Sequence, residues 1–197
     1  ERDLAEVAAR NLRNAANNPM AQVSGSYSAD ELLNAPYGVS PLRAHDCPPI
    51  SDGAAAIVLA AGGLARRVCE RPAWVTGIDH RIEAHSLGAR DLAKSPSAAL
   101  AAEKAGLAAG PVEVAELHAP FSHQELIVLD AMGLADEEAE INPSGGALAA
   151  NPIMATGLIR IGEAASRIMD GWAKRVLGHA TSGPCLQQNL VCIMEAR

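Results

Sequence analysis

Aromatic side chains are scarce: two Trp, two Tyr and one Phe make up 3% of the 197 residues. A core must therefore be filled by Ala, Leu, Ile and Val, which suits closely packed helices and strands and excludes aromatic stacking platforms. The formal net charge is −7, with no Lys/Arg run to offset it locally, so a nucleic-acid backbone is an unfavourable partner. No stretch approaches the roughly 18 continuous apolar residues of a membrane span. The nearest, GAAAIVLAAGGLA, is short and interrupted by glycine, so a chain with no membrane span is expected. Cysteine occurs only at 47, 69, 185 and 192, without CxxC pairs or regular spacing. Neither a zinc or other metal site nor a disulfide framework is predicted, and a reducing, cytoplasmic setting is the default.

Apolar residues make up 49% of the chain and charged residues 20%. A domain of this length typically buries roughly 70% of its unfolded surface. The sequence opens ERDLAEVAARNLRNAANNPMAQ, with no Met and already in helical periodicity (Leu4, Val7, Ala8, Leu12, Ala15). An N-terminal portion is expected to precede it, and NNP stops this first helix. SADE at 28–31 has the S-x-x-E pattern of a capping box. From 35 to 50, APYGVSPLRAHDCPPI carries four prolines, reads as an extended loop and marks a boundary between a loop-region segment (1–50) and a main domain (51–197).

Beyond that boundary the pattern becomes regular. AAAIVLA (54–60) predicts a buried strand and GLARRVCE a helix. AWVTGIDHRIE (73–83) predicts a second strand, and SPSAALAAEKAGL a helix with Pro96 in its first turn. VEVAELH (112–118) predicts a third strand, feeding the helix FSHQELIVLDAMGL. ATGLIRIGEAASRIMDG predicts another helix with Gly171 as C-cap. AKRVLGHATSG and LQQNLVCIME close the chain as two strands, expected to form a hairpin. Strands alternating with helices imply an α/β layered fold, and the final pair makes the sheet mixed. Such sheets place ligands at strand C-terminal ends, here His118 and about Ser182.

His118 stands at a strand end, with His123 and Glu125 in the following helix. A lone His is as often structural as functional, and two His five residues apart do not share a helix face, so metal ligation is not indicated. Cys185 sits after Gly183-Pro184 in a predicted tight turn, either as an inert buried thiol or as one presented to a cleft. His118 or His179 could stand beside it. The loop SGGALAANP lacks both the G-x-G-x-x-G and the Gly-Lys-Ser/Thr patterns of phosphate loops. It does place Asn142, Asn151 and backbone amides ahead of a helix, where such groups can hold developing negative charge on a carbonyl oxygen.

Four blocks in order, SDGAAAIVLA, ELHAPFSHQE, INPSGGALAANPIMATG and SGPCLQQNLVCIME, resemble the signature blocks of the C-terminal half of the thiolase superfamily. The resemblance is greatest to the sterol-carrier-protein type and its bacterial thiolase-like "lipid-transfer protein" relatives, because His118 stands where other thiolases have Asn. It implies a strand-helix-strand-helix-strand-helix-strand-strand half-fold and carbon–carbon bond formation or cleavage next to a coenzyme A thioester, as in acetyl-CoA acetyltransferases. By position, Cys185 resembles the second, acid/base Cys and His118 the oxyanion-hole residue. Asn142, Gly145, Gly146 and Phe121 fall in the blocks that line the acyl-CoA site. Two departures stand out: Ala150-Asn151-Pro152 replaces the usual Gly-His-Pro, and Gln187-Gln188-Asn189 replaces a Gly-rich tail. Asn donates a hydrogen bond but accepts no proton at neutral pH.

The resemblance further implies that a nucleophilic Cys lies in an N-terminal half, that no cofactor is bound covalently, and that coenzyme A arrives as part of the substrate. A homodimer or hetero-oligomer is expected. The alternatives are a retro-aldolase acting with a partner subunit on sterol side-chain CoA thioesters, whose acid/base tyrosines have no counterpart in these blocks, and a non-catalytic acyl-CoA or lipid-binding scaffold.

Overall fold

The computed structural model describes residues 1–135 and 138–197. Five strands, β3 (Trp74–Ile82), β4 (Val114–Glu116), β5 (Glu140–Ile141), β6 (Arg175–Ser182) and β7 (Gln188–Glu195), form one sheet in the order β3-β7-β6-β4-β5. β4 runs parallel to β5 and β6, whereas β7 is antiparallel to β6 and β3. The sheet is therefore mixed, as the sequence pattern implies. β4 is buried on both faces, and β6 is buried over residues 176–179, because helices cover both sides of the sheet there.

On one face lie α4 (Pro96–Lys104) and α5 (Ser122–Met132), closing over Ala115, Leu117, Leu177, Val191 and Ile193. On the other lies α7 (Thr156–Met169), whose Ala164 and Ile168 pack on Val114, Val176 and Met194. Each fully buried Val or Leu contributes about 1.5–3 kcal/mol, and alanine at Ala98, Ala101 and Ala102 lets α4 lie close. A third cluster joins α1 (Arg2–Ala15) and α2 (Ala29–Leu33) to α6 (Gly146–Ala149) and Leu126 of α5. Ser28 caps α2 in a full capping box with Glu31, as its sequence predicts. Gly171, just past α7, takes the left-handed conformation (φ 79°) expected after a helix C-terminus.

Two expectations are corrected. Residues 54–60 form no strand: Ile57, Val58 and Leu59 are exposed, Val58 by 93%. A strand needs a neighbouring backbone, and this segment is moored at its start to a loop instead, with Ser51 Oγ accepting from the Asn151 N–H at 3.0 Å. The sheet still has five strands because Glu140–Ile141 joins β4. The stretch 35–50 is not wholly irregular either: β1 (Tyr37–Val39) and β2 (Leu42–Arg43) pair as a small antiparallel ribbon, followed by a 3-10 turn at Ala44–Asp46. A short helix, α3 (Gly62–Val68), leads into β3. Among the described residues, no helix is long and apolar enough to cross a membrane.

Candidate active site

His118 lies two residues beyond the end of β4 and is 5% exposed. The backbone N–H of Thr181, at the matching end of β6, donates to its Nδ1 at 3.3 Å. An Nδ1 that accepts is unprotonated, so the neutral ring carries its proton on Nε2. Burial pushes the His118 pKa down to about 3, helped by His179 and by the Arg160 charge, while a hydrogen bond with the Asn151 side chain partly offsets this. At neutral pH His118 is thus a hydrogen-bond donor and not a cation. α7 comes close enough to hold it because residue 157 is Gly: a Cβ there would lie 2.6 Å from the Ala180 Cβ and 3.7 Å from His118 Nδ1.

Asn151 is 6% exposed, and its Oδ1 accepts from Thr156 Oγ1 at 2.8 Å. The loop before it is fixed by buried polar groups. Asn142 adopts φ +49°, accepts from the Leu117 N–H at 2.6 Å and donates to Glu125 at 2.8 Å. Asn11 and Arg10 of α1 also donate to Glu125, and Asn14 donates to the carbonyls of Ile141 and Asn142. Deeper still, Arg160 of α7 pairs with Glu116 at 2.9 Å, and Ser144 donates to the same carboxylate at 2.6 Å. Burial pushes the carboxyls of both Glu116 and Glu125 upward, against these partners.

His118 and Asn151 are therefore brought together. Gly145 (φ +95°) and Gly146 are buried between the loop and α1; a Cβ on Gly145 would stand 2.6 Å from that of Ala15. Phe121 is the residue before α5, partly buried, its ring 5.7 Å from that of His123. Cys185 lies in the β6–β7 turn at the same sheet end as His118, with φ +52°, and it is exposed. Cys192 is buried with its thiol pushed up to about 11, and burial also raises that of Cys47.

Beside the loop a cavity of about 320 Å³ is lined by Ser51–Ala54, Ser144, Gly146, Pro152 and Arg160. A larger crevice of about 620 Å³ lies at the opposite end of the sheet, between the C-terminal ends of α4 and α5, away from every group described above. Thr181, Thr156 and Ser51 were not legible as site residues, because each acts through one atom whose direction only the fold sets. Glu116, in ELHAPF, had a signal: a carboxylate in an apolar strand needs a partner.

No protein-family model matches the chain. It is 29% identical over 202 residues to an acetyl-CoA acetyltransferase of Methanothermobacter thermautotrophicus, covering 91% of this chain and 53% of that protein. It is 31% identical over 211 residues to sterol carrier protein 2 of Bos taurus, covering 89% and 38%. Among solved structures, the Ltp2-ChsH2(DUF35) aldolase superposes with a TM-score of 0.79 at 19% identity, covering 99% of this chain and 58% of that one. The chain thus spans about half the length of the curated relatives it matches. With thiolases and sterol carrier protein 2 among its relatives and their layered fold in its structure, the chain belongs to the thiolase superfamily.

Proposed function

We propose that this chain forms the acid/base half of a thiolase-like acyltransferase that makes or breaks a carbon–carbon bond beside a coenzyme A thioester. The observation that carries the reading is the tautomer of His118: with Nδ1 occupied by the Thr181 N–H, the neutral ring keeps its proton on Nε2, and a thioester oxygen entering the pocket takes that donor over from the Asn151 side chain. In the condensing direction the Cys185 thiolate takes the α-proton of one acyl-CoA, and the resulting enolate oxygen accepts from His118. The enolate carbon then attacks an acyl group held as a thioester on a nucleophilic Cys of the N-terminal half, expelling that thiolate. Asn151 adds a second polar group to the pocket but no base. A preorganised donor of this type is worth about 10²–10³ in rate. Coenzyme A enters only as part of the substrate, in a cytoplasmic setting and in a dimer or hetero-oligomer.

The test is product formation by the full-length protein from acetyl-CoA and from acetoacetyl-CoA with free coenzyme A. Turnover lowered about 10²-fold by His118→Ala supports the assignment; an unchanged rate returns His118 to a structural role, and binding without turnover favours the scaffold. The aldolase among the structural neighbours, together with an Asn in the usual base position, favours a second reading, retro-aldol cleavage of a β-hydroxyacyl-CoA. Release of a free aldehyde or ketone, without consumption of coenzyme A, identifies that reaction.

A further inference from the structure

The β6–β7 turn that carries Cys185 is an improbable conformation for its sequence. Cys185 and Leu186 follow one another at φ +52° and +56°, the left-handed region that L-residues disfavour because Cβ crowds the following carbonyl. Such a turn persists only when its surroundings over-determine it. Here four successive carbonyls each receive a donor. Arg90 Nη2 donates to Pro184 O at 2.8 Å and Arg90 Nη1 to Cys185 O at 3.1 Å. Asn189 Nδ2 donates to Leu186 O at 2.8 Å, and the Glu83 N–H to Gln187 O at 2.9 Å.

Arg90 comes from outside the hairpin, on the segment that follows the 3-10 turn Leu87–Ala89. Its side chain is only 4% exposed although Cys185 beside it is open to solvent. The Glu83 carboxylate lies 3.9 Å from the guanidinium and also accepts from the N–H and Oγ of Ser97 at the start of α4. Asn189 donates to the same Ser97 hydroxyl at 2.7 Å. Both arms that grip the turn are therefore anchored on one helix start.

We propose that Arg90 is a positioning residue: its planar fork spans two adjacent carbonyls and holds the Cys185 turn in the left-handed conformation that presents the thiol at the sheet end shared with His118. The inference rests on reading Cys185 as the group that moves the α-proton. The guanidinium offers two nitrogens at a fixed planar spacing that matches the two carbonyls, whereas a lysine ammonium carries its three donors on one nitrogen at the end of a flexible stem.

The experiment follows deuterium uptake at the α-carbon of acetyl-CoA and of butanoyl-CoA in D₂O by the full-length protein, which reads proton movement without needing the second substrate. Arg90→Ala should lower the exchange kcat about tenfold or more while leaving KM nearly unchanged, the signature of a misplaced group rather than a lost binding contact. Arg90→Lys should fall equally, with unchanged circular dichroism. Free guanidinium at sub-denaturing concentration should restore exchange in Arg90→Ala, and methylammonium should not. Wild-type exchange with undiminished exchange in Arg90→Ala overturns the role of Arg90 alone, as does repair by lysine or a loss that guanidinium leaves untouched. No exchange by the wild-type protein overturns the reading of Cys185, and with it the reason for the clamp.

Discussion

The side-chain amide of Asn142 donates to the Glu125 carboxylate at 2.8 Å, in a place where both residues are fully buried. The same carboxylate receives Asn11 and Arg10 from α1, while the other end of the Asn142 amide accepts from the N–H of Leu117, the residue before His118. One carboxylate thus ties the first helix, the Asn142 loop and the strand that delivers His118.

Glu125→Ala leaves the buried Asn11 and Asn142 amides without their acceptor and the part-exposed Arg10 without its counter-charge, and each stranded buried amide costs about 1–3 kcal/mol. Glu125→Gln keeps an acceptor for Asn142 or Asn11 and should cost clearly less. Urea unfolding of both variants, read from midpoint and slope, checks the order. Equal small losses would mean that water replaces the carboxylate.

Acid should destabilise the protein through its buried histidines. Burial depresses His118 to about 3 and His179 to about 4 from an ordinary value of 6.5. Above pH 6.5 both are neutral in either state and their contribution is whole. As pH falls from 6.5 toward 4, the unfolded chain takes up protons that the folded one refuses, so stability is lost at about 1.4 kcal/mol per pH unit per group. Glu116 and Glu125, raised by burial, act in the opposite sense, so the comparison is between wild type and His118→Asn at each pH. The variant should show a slope shallower by about one proton between pH 4 and 6; parallel curves would mean that His118 does not titrate on unfolding in this window.

The strands β3, β4, β6 and β7, the helices α4, α5 and α7 and the mixed character of the sheet were legible because apolar pattern and turn chemistry agree there, and four sequence blocks pointed to the fold family; β5 at Glu140–Ile141 and the single turn α6 are too short to leave a period. The places of His118 beyond β4 and of Cys185 in the β6–β7 turn, at one end of the sheet, were legible by position within those blocks. The partners of each were not. The tautomer of His118 is set by the N–H of Thr181, and the Cys185 turn is gripped by an arginine 95 residues away in sequence. The strand expected at 54–60 failed for a related reason, since periodicity reports that a segment is apolar but not whether an adjacent backbone exists to pair with it.

Residues 57–59 carry a third prediction. Val58 and Leu59 are 93% and 85% exposed, and the chain spans about half the length of its curated relatives. Val58→Asp should reduce self-association and dye binding of these 197 residues expressed alone. In a protein that also carries an N-terminal half, the same change should destabilise by about 2 kcal/mol or more, because a carboxylate would then replace buried apolar surface. Light scattering for the first and thermal unfolding for the second provide the check. Equal tolerance in both contexts would mean that the segment stays exposed.

Thiol reactivity should single out Cys185. It is the exposed cysteine, whereas Cys47 and Cys69 are half-buried and Cys192 is buried with its thiol pushed up to about 11. Alkylation requires the thiolate and a clear approach, and both conditions exclude Cys192 until the sheet unfolds. Burial also holds the Cys47 thiol up and slows it. Under iodoacetamide at neutral pH the peptide bearing Cys185 should be modified first, with Cys192 silent until denaturant is added. Exposure alone accounts for that order, so the informative measurement is its response to ligand. If the turn borders an acyl-CoA site, coenzyme A slows labelling of Cys185 in the full-length protein and leaves Cys69 unaffected. His118→Ala should leave the labelling rate near wild type, because the role proposed for the imidazole is on the thioester oxygen and not on the sulfur. Labelling led by Cys47 or Cys69, or a Cys185 rate indifferent to coenzyme A, would make Cys185 an ordinary surface thiol and remove it from the proton-transfer step.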